Sequence, residues 1–294
     1  MNLLLDVVNG TLREATPLLL ATLGGVLSER SGVINLALES YLLAGAFGAA
    51  VGALTTGSLV LGAALGLIAA LLVALVHAVI CTRTRADHVV AGVALNLLVD
   101  AATIAALVSI YHTKGASPPF GDELMERLAS AKLLGHAPAT WLALLAVPTV
   151  AFFLARTKPG LRLRAVGENP ACAESLGVSA LRVRTLAVLG AGLLTGLGGV
   201  YLAFDVGSFS KHMASERGYL ALACVVVGKW RPWTAAAAAL SFALLIAIAN
   251  QLQIEGWFPD EIPRMLPYVV TLVVLSGVVG RARPPAALGR PLVN

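Results

Sequence analysis

The sequence predicts an all-helical integral membrane protein with about eight to ten transmembrane segments, some of them broken or re-entrant. Three observations carry this. Of the 294 residues, 58% are hydrophobic and only 13% charged, with mean hydropathy +0.84, against about 25% charged in a soluble domain. The apolar residues gather in runs of membrane-crossing length joined by short polar loops. One loop, 156–184, is long, polar and basic, carrying Arg156, Lys158, Arg162, Arg164, Arg182 and Arg184.

Taken in order, the apolar runs fall at about 15–28, 40–55, 58–81, 89–111, 139–155, 185–204, 218–228, 233–251 and 266–280. A full span needs roughly 20 residues. The run at 218–228 is too short, and the first two are short in part, which suggests half-helices or re-entrant pieces. No basic stretch precedes the first run, where Asp6, Arg13 and Glu14 stand instead, so no cleavable signal is expected. The 29 glycines and many alanines suit close helix contact in lipid.

Loop charges orient the chain. With 156–184 placed in the cytoplasm, alternation brings Arg83, Arg85, Lys229, Arg231, Arg281, Arg283 and Arg290 to the same side. Arg13, Lys114, Arg127, Lys132, Lys211, Arg217 and Arg264 fall outside, together with the acids Asp122, Glu123, Glu126, Glu255, Asp260 and Glu261. Arg30 lies in the first break. The N-terminus is therefore expected outside and the C-terminus in the cytoplasm. The basic residues sit in short loops, so the net charge of +5 is no sign of nucleic-acid binding.

Two stretches resemble each other. Thr22-Leu23-Gly24-Gly25-Val26 matches Gly196-Leu197-Gly198-Gly199-Val200, and Leu36-Ala37-Leu38 matches Leu220-Ala221-Leu222. Each pair leads into an Ala-rich run and a further run, with one extra span between the sets. That layout is an inverted repeat over about 15–111 and 185–280.

Polar residues inside such a chain are candidates for function, because ionisable groups at membrane depth are costly. Ser28 to Glu39 interrupts apolar sequence with Glu29, Arg30, Asn35 and Glu39. It reads either as a solvated turn or as a broken helix beside a translocation path. Asn96 and Asp100 lie one turn apart on one helix face, suited either to an interhelical hydrogen bond or to a pore lining. Glu216, Arg217 and Tyr219 precede or open the short seventh run, as path residues or plain anchors. In the basic loop, Asn169 is a good N-cap, Pro170 a good first helical residue and Gly177 a natural stop. A helix over 170–176 is expected, with Ala173 and Leu176 on one side, resting against something because it is too short to stand alone.

Other chemistries lack residues. Cys81, Cys172 and Cys224 have no metal spacing, and the five histidines form no cluster, so neither a metal site nor a bound cofactor is expected. There is no H-E-x-x-H, no G-x-S-x-G and no G-x-x-x-x-G-K-[ST] loop, so no catalytic residues are assigned.

The stretch G-E-N-P-A-C-A-E-S-L-G-V at Gly167–Val178 resembles the coupling helix of ABC importer permeases of the ribose and branched-chain amino acid type. Ser28–Glu39 is similar to the N-terminal motif of their nucleoside and simple-sugar subfamily; Asp87–Leu98, Glu216–Ala223 and Gly228–Pro232 resemble three further motifs. The resemblance covers about 13–280. The family pattern favours Gly where this chain has Ser40 and Glu216. What the resemblance implies is a single transmembrane permease domain over 1–294 with 156–184 as its cytoplasmic coupling loop, in a bacterial inner membrane. It implies a second, possibly non-identical permease, a cytosolic ATPase that uses the ATP, and an extracytoplasmic substrate-binding lipoprotein. Glu29, Arg30, Asn35, Glu39, Asn96, Asp100, Glu216 and Tyr219 are then substrate-pathway candidates, and Gly167, Glu168, Asn169, Pro170, Ala173, Glu174 and Gly177 ATPase-coupling candidates. The expected cargo is a nucleoside, with simple sugars next. An ion-driven carrier using Glu39 or Asp100 is the different-class alternative.

Overall fold

The computed structural model describes residues 3–84, 86–255, 265, 269 and 283–292. They form eleven helices: α1 (Leu3–Arg30), α2 (Leu38–Thr56), α3 (Leu59–Arg83), α4 (His88–Tyr111), α5 (Asp122–Ser130), α6 (Pro138–Arg156), α7 (Lys158–Glu168), α8 (Pro170–Ser175), α9 (Ala180–Val206), α10 (Arg217–Val227) and α11 (Pro232–Glu255). Among the described residues the only β-pairings are two isolated bridges. Six helices, α2, α3, α4, α6, α9 and α11, are long and apolar enough to cross a membrane. The run at 266–280 and the charges Arg85, Asp260, Glu261, Arg264 and Arg281 lie outside the described residues.

The helix ends follow local chemistry. Ser58, Asp87, Asn169 and Ser179 each accept a backbone N–H at the start of α3, α4, α8 and α9, satisfying donors that have no partner within the helix. Gly57 and Gly207, both left-handed, end α2 and α9.

The first run is not a half-helix. α1 continues through 28 residues, because the polar residues before the run are paired: Arg13 with Asp205 at 2.5 Å and Glu14 with Arg217 at 2.8 Å. Its second half, from Ala15 to Leu27, is buried among other helices. α10, by contrast, is as short as expected, with 11 residues.

The loop charges divide between two ends of the bundle. Arg83, the 156–184 segment, Lys229, Arg231 and residues 283–290 share the end formed by α7 and α8. Arg30 is also there, donating to the Trp230 carbonyl at 2.8 Å. Arg13, Lys132 and Asp205 border one cavity at the opposite end, beside α5.

The repeat appears in the packing. α1 packs on α10 and α11, while α9 packs on α2 and α3. Each long helix therefore seats itself in the following helices of the other set, and the two sets interlock. The run at 266–280, expected as the fourth member of the second set, lies outside the described residues. The Gly24-Gly25 and Gly198-Gly199 pairs occupy matching places late in α1 and α9. The second sequence match is out of register: Leu36 and Ala37 precede α2, whereas Leu220–Leu222 lie inside α10.

Small residues set the helix spacing. A methyl group on Gly45 would lie 2.6 Å from the Gly196 carbonyl, and one on Gly48 or Gly52 would meet Gly66 or Gly62 of α3 at 2.9 Å. Large apolar side chains on α3, α4 and α6, such as Leu72, Leu98 and Leu145, point outward and are exposed, as a lipid-facing surface requires.

Candidate functional site

Two helix beginnings meet inside the bundle. α10 runs from its junction with α11, at the α7–α8 end, for 11 residues. At about 1.5 Å per residue its N-terminus lies about 17 Å from that junction. α2 begins beside it, because residues 31–37 turn back into the protein after α1. A methyl group on Gly218 would overlap the Glu39 backbone nitrogen, so only glycine permits the approach.

Glu39 binds the two together. Its Oε1 accepts from the Glu216 N–H at 2.9 Å and its Oε2 from the Gly218 N–H at 2.7 Å. A carboxylate thus sits on the positive end of the α10 dipole. Glu216 is the N-cap residue and has φ +62, a left-handed conformation that explains the glycine preference there. Asn96 of α4 completes the junction. Its Oδ1 accepts from the Ser40 N–H at 3.0 Å, and its Nδ2 donates to the Leu36 carbonyl and to Tyr219 Oη, both at 2.9 Å. One turn further, Asp100 Oδ1 lies 3.0 Å from His212 Nδ1.

These groups line one cavity of about 420 Å³, with Glu39, Asn96, Asp100, His212, Glu216 and Tyr219 among its walls. Such a mixture of apolar wall and a few convergent polar groups suits a small polar solute. The sequence-predicted Glu39, Asn96, Asp100, Glu216 and Tyr219 are therefore brought together. His212 was not anticipated: it lies in an irregular segment that only the fold returns to α4.

Glu29, Arg30 and Asn35 are elsewhere. Glu29 is 2% exposed and accepts from Trp230 Nε1 at 2.5 Å. With the Arg30 bond to the same residue's carbonyl, it clamps the end of α1 to the α10–α11 junction. Asn35 is fully buried within the 31–37 turn. The Ser28–Glu39 stretch is thus not a solvated turn. Ser28–Arg30 end α1, residues 31–37 form a largely buried turn, and of this stretch Glu39 lines the cavity.

The α7–α8 end carries the other set. Asn169 Oδ1 accepts from the Cys172 N–H at 3.0 Å, starting α8 at Pro170 as expected. Gly177 has φ +80. Ala173 is buried against Val166, Ala180 and Leu292. Leu176 does not share that face. The helix ends at Ser175, so Leu176 leaves the helical spiral and is 79% exposed. Gly167 lies under the end of α1, where a methyl group would overlap the Arg30 carbonyl. Glu168 accepts from the Ala286 N–H at 3.1 Å, and Glu174 is exposed.

A bundle of spanning helices, with interlocked halves and a broken-helix junction over a polar cavity, defines a multi-pass membrane transport protein. The chain belongs to the family described as branched-chain amino acid transport system / permease component, which matches residues 7–275. It is a permease component and not an enzyme. It is 37% identical to the guanosine ABC transporter permease protein NupQ of Bacillus subtilis, over 98% of this chain and 96% of the relative. It is 33% identical to the nucleoside ABC transporter permease protein NupC of Lactococcus lactis, over 98% and 97%. It is also 33% identical to the putative glucose ABC transporter permease protein TsgC13 of Haloferax volcanii, over 96% and 94%. No solved structure matches.

Proposed function

We propose that this chain is the membrane-spanning subunit of an ATP-driven importer of nucleosides. The observation that carries this is near-full-length similarity to two permeases named for guanosine and nucleoside transport. The glucose-named relative keeps a simple sugar as the second reading. Both cargoes are polar and rich in hydroxyls, in keeping with a cavity bordered by Glu39, Asn96, Asp100, His212 and Tyr219.

In this reading the junction of α2 and α10 lies on the substrate path. Asp100, His212 and Tyr219 face the solute. Glu39 and Asn96 hold the two helix starts in place, and Glu216 supplies the backbone turn between them. Glu29, Arg30 and Asn35 serve the path indirectly, fixing the turn that leads into α2. The segment 156–184 is the cytoplasmic coupling loop of a single permease domain. Gly167, Glu168, Asn169, Pro170, Ala173, Glu174 and Gly177 present α8 to a cytosolic ATPase. The ATP is bound and hydrolysed there, because this chain has no phosphate-binding loop. A second permease subunit completes the path and an extracytoplasmic lipoprotein delivers the solute. The assembly resides in a bacterial inner membrane with the C-terminus of this chain in the cytoplasm.

The test is uptake of labelled purine and pyrimidine nucleosides by cells with and without this chain, each with the partner ATPase intact or catalytically dead. The expected result is loss of uptake in either single defect, with excess unlabelled nucleoside competing better than ribose or glucose. Better competition by sugars would move the cargo to the second reading. Uptake that survives the dead ATPase but collapses with an uncoupler would replace the proposal with an ion-driven carrier.

A further inference from the structure

Among the described residues Arg184 is the largest fully buried side chain, and three backbone carbonyls surround its guanidinium. Nε donates to the Ser31 carbonyl at 3.2 Å, one terminal nitrogen to the Arg290 carbonyl at 2.7 Å and the other to the Ala287 carbonyl at 3.3 Å. A buried cation is costly unless its donors are used, and the planar fork of arginine can serve three acceptors at fixed angles where an ammonium cannot. The acceptors come from two segments far apart in sequence: the turn after α1 and the C-terminal segment 283–292.

That segment is tied down along its length. The Ala286 N–H donates to Glu168 Oε2, the Ala287 N–H to the Gly167 carbonyl at 2.9 Å and the Gly289 N–H to the Gly32 carbonyl at 3.0 Å. Leu292 packs with Val166, Ala173 and Ala180, from α7, α8 and α9. The fit is close. Gly32, at φ +98, would put a methyl group 2.7 Å from the guanidinium, and Gly289, at φ +74, would put one 2.8 Å from Ile34. Residues 283–292 therefore bridge two places. One is the α7–α8 end, where Glu168 and Ala173 sit. The other is the 31–37 turn, which leads in a few residues to Glu39 and the cavity.

We propose that segment 283–292, pinned by Arg184, is a strap that carries movement of α8 to the turn before α2, and so to the α2–α10 junction. This rests on the reading of the chain as an ATP-driven permease. Arg184 is a positioning residue: it touches no solute, and it keeps the strap and the turn moving as one body. Without it α8 moves against a loose segment and the junction does not follow.

The experiment uses the complete transporter in proteoliposomes, with labelled guanosine, the solute named for the Bacillus subtilis relative. Uptake and ATP hydrolysis are measured together, along with recovery of the ATPase on the purified permease. One variant stops after Arg283, which opens Arg184 to water and removes no residue of the six described spanning helices. The others are Arg184→Gln and Arg184→Lys. The expected result for the truncation and Arg184→Gln is normal ATPase recovery, hydrolysis within about twofold of wild type and guanosine uptake per ATP reduced at least tenfold. Arg184→Lys recovers part of that ratio. An unchanged ratio in the truncated transporter overturns the strap. Loss of ATPase recovery in the truncation also overturns it, since the segment would then be a docking surface. If Arg184→Gln fails to reach the membrane, the truncation decides alone. Absence of ATP-dependent uptake in wild type refutes the permease reading itself, a separate outcome.

Discussion

At the residue scale, Glu39 and Glu29 are two acids in one sequence motif with different work. Glu39 caps the start of α10 through two backbone N–H groups, and losing a cap of this kind costs about 0.5–2 kcal/mol. Glu39→Ala is expected to lower thermal stability in detergent and to cut uptake about tenfold or more. Glu39→Gln, which keeps one accepting oxygen, should fall between it and wild type. Wild-type stability and uptake in Glu39→Ala would remove the junction from the mechanism. Glu29 accepts from the Asn35 N–H and from one side-chain donor, the Trp230 indole, at 2.5 Å. Trp230→Phe leaves its buried carboxylate without that donor, at a cost of about 1–3 kcal/mol, readable as a lower melting temperature. A stability equal to wild type would mean that the Asn35 N–H alone is enough for the buried carboxylate. The pairing of Asn96 with Asp100 was legible, because helical spacing alone puts them on one face. The separation of Glu29 from Glu39 was not, since it depends on where residues 31–37 turn. Arg184 read as one more loop cation, and nothing local distinguishes a solvated arginine from one enclosed by distant carbonyls.

At the element scale, helix lengths and caps were written locally. Asn169-Pro170 starts α8, Asp87 starts α4, and the short apolar run became the short α10. α1 is longer than its apolar run suggests, because Arg13 and Glu14 look like a boundary until Asp205 and Arg217 are placed beside them. The glycines along α2 explain why these helices approach so closely. Gly45 of α2 faces Gly196 of α9 without room for a methyl group. Gly45→Val should therefore force the two helices apart, with a destabilisation of about 1–3 kcal/mol typical of overpacking. Gly115→Ala is the control, since a methyl group there meets nothing within 4 Å. Thermal unfolding of the two purified variants checks this. Equal melting temperatures would show that the α2–α9 contact yields without cost.

At the scale of the whole molecule, the interlock of α1 with α10 and α11, and of α9 with α2 and α3, fixes which loops share an end. An extra span between the two sets inverts the second, and this much followed from the order of apolar runs. The register of the repeat did not, because Leu, Gly and Ala matches recur throughout an apolar chain, and the second match slid by part of a helix. The loop charges then make a sharper claim than the fold does: the α7–α8 end faces the cytoplasm and the α5 end faces out. Three native cysteines make this testable. Cys81 and Cys224 are buried, while Cys172 of α8 is exposed. Glu123, in α5, is exposed at the other end. In intact spheroplasts a membrane-impermeant maleimide should label Glu123→Cys and leave Cys172 untouched, and permeabilisation should then expose Cys172. Removing Cys172 from the Glu123→Cys protein identifies which thiol reacted. Labelling of Cys172 alone before permeabilisation would invert the molecule and put α8 on the wrong side of the membrane for any ATPase. Labelling of both would mean that the two ends share a side, contradicting the odd number of crossings that the inverted repeat requires.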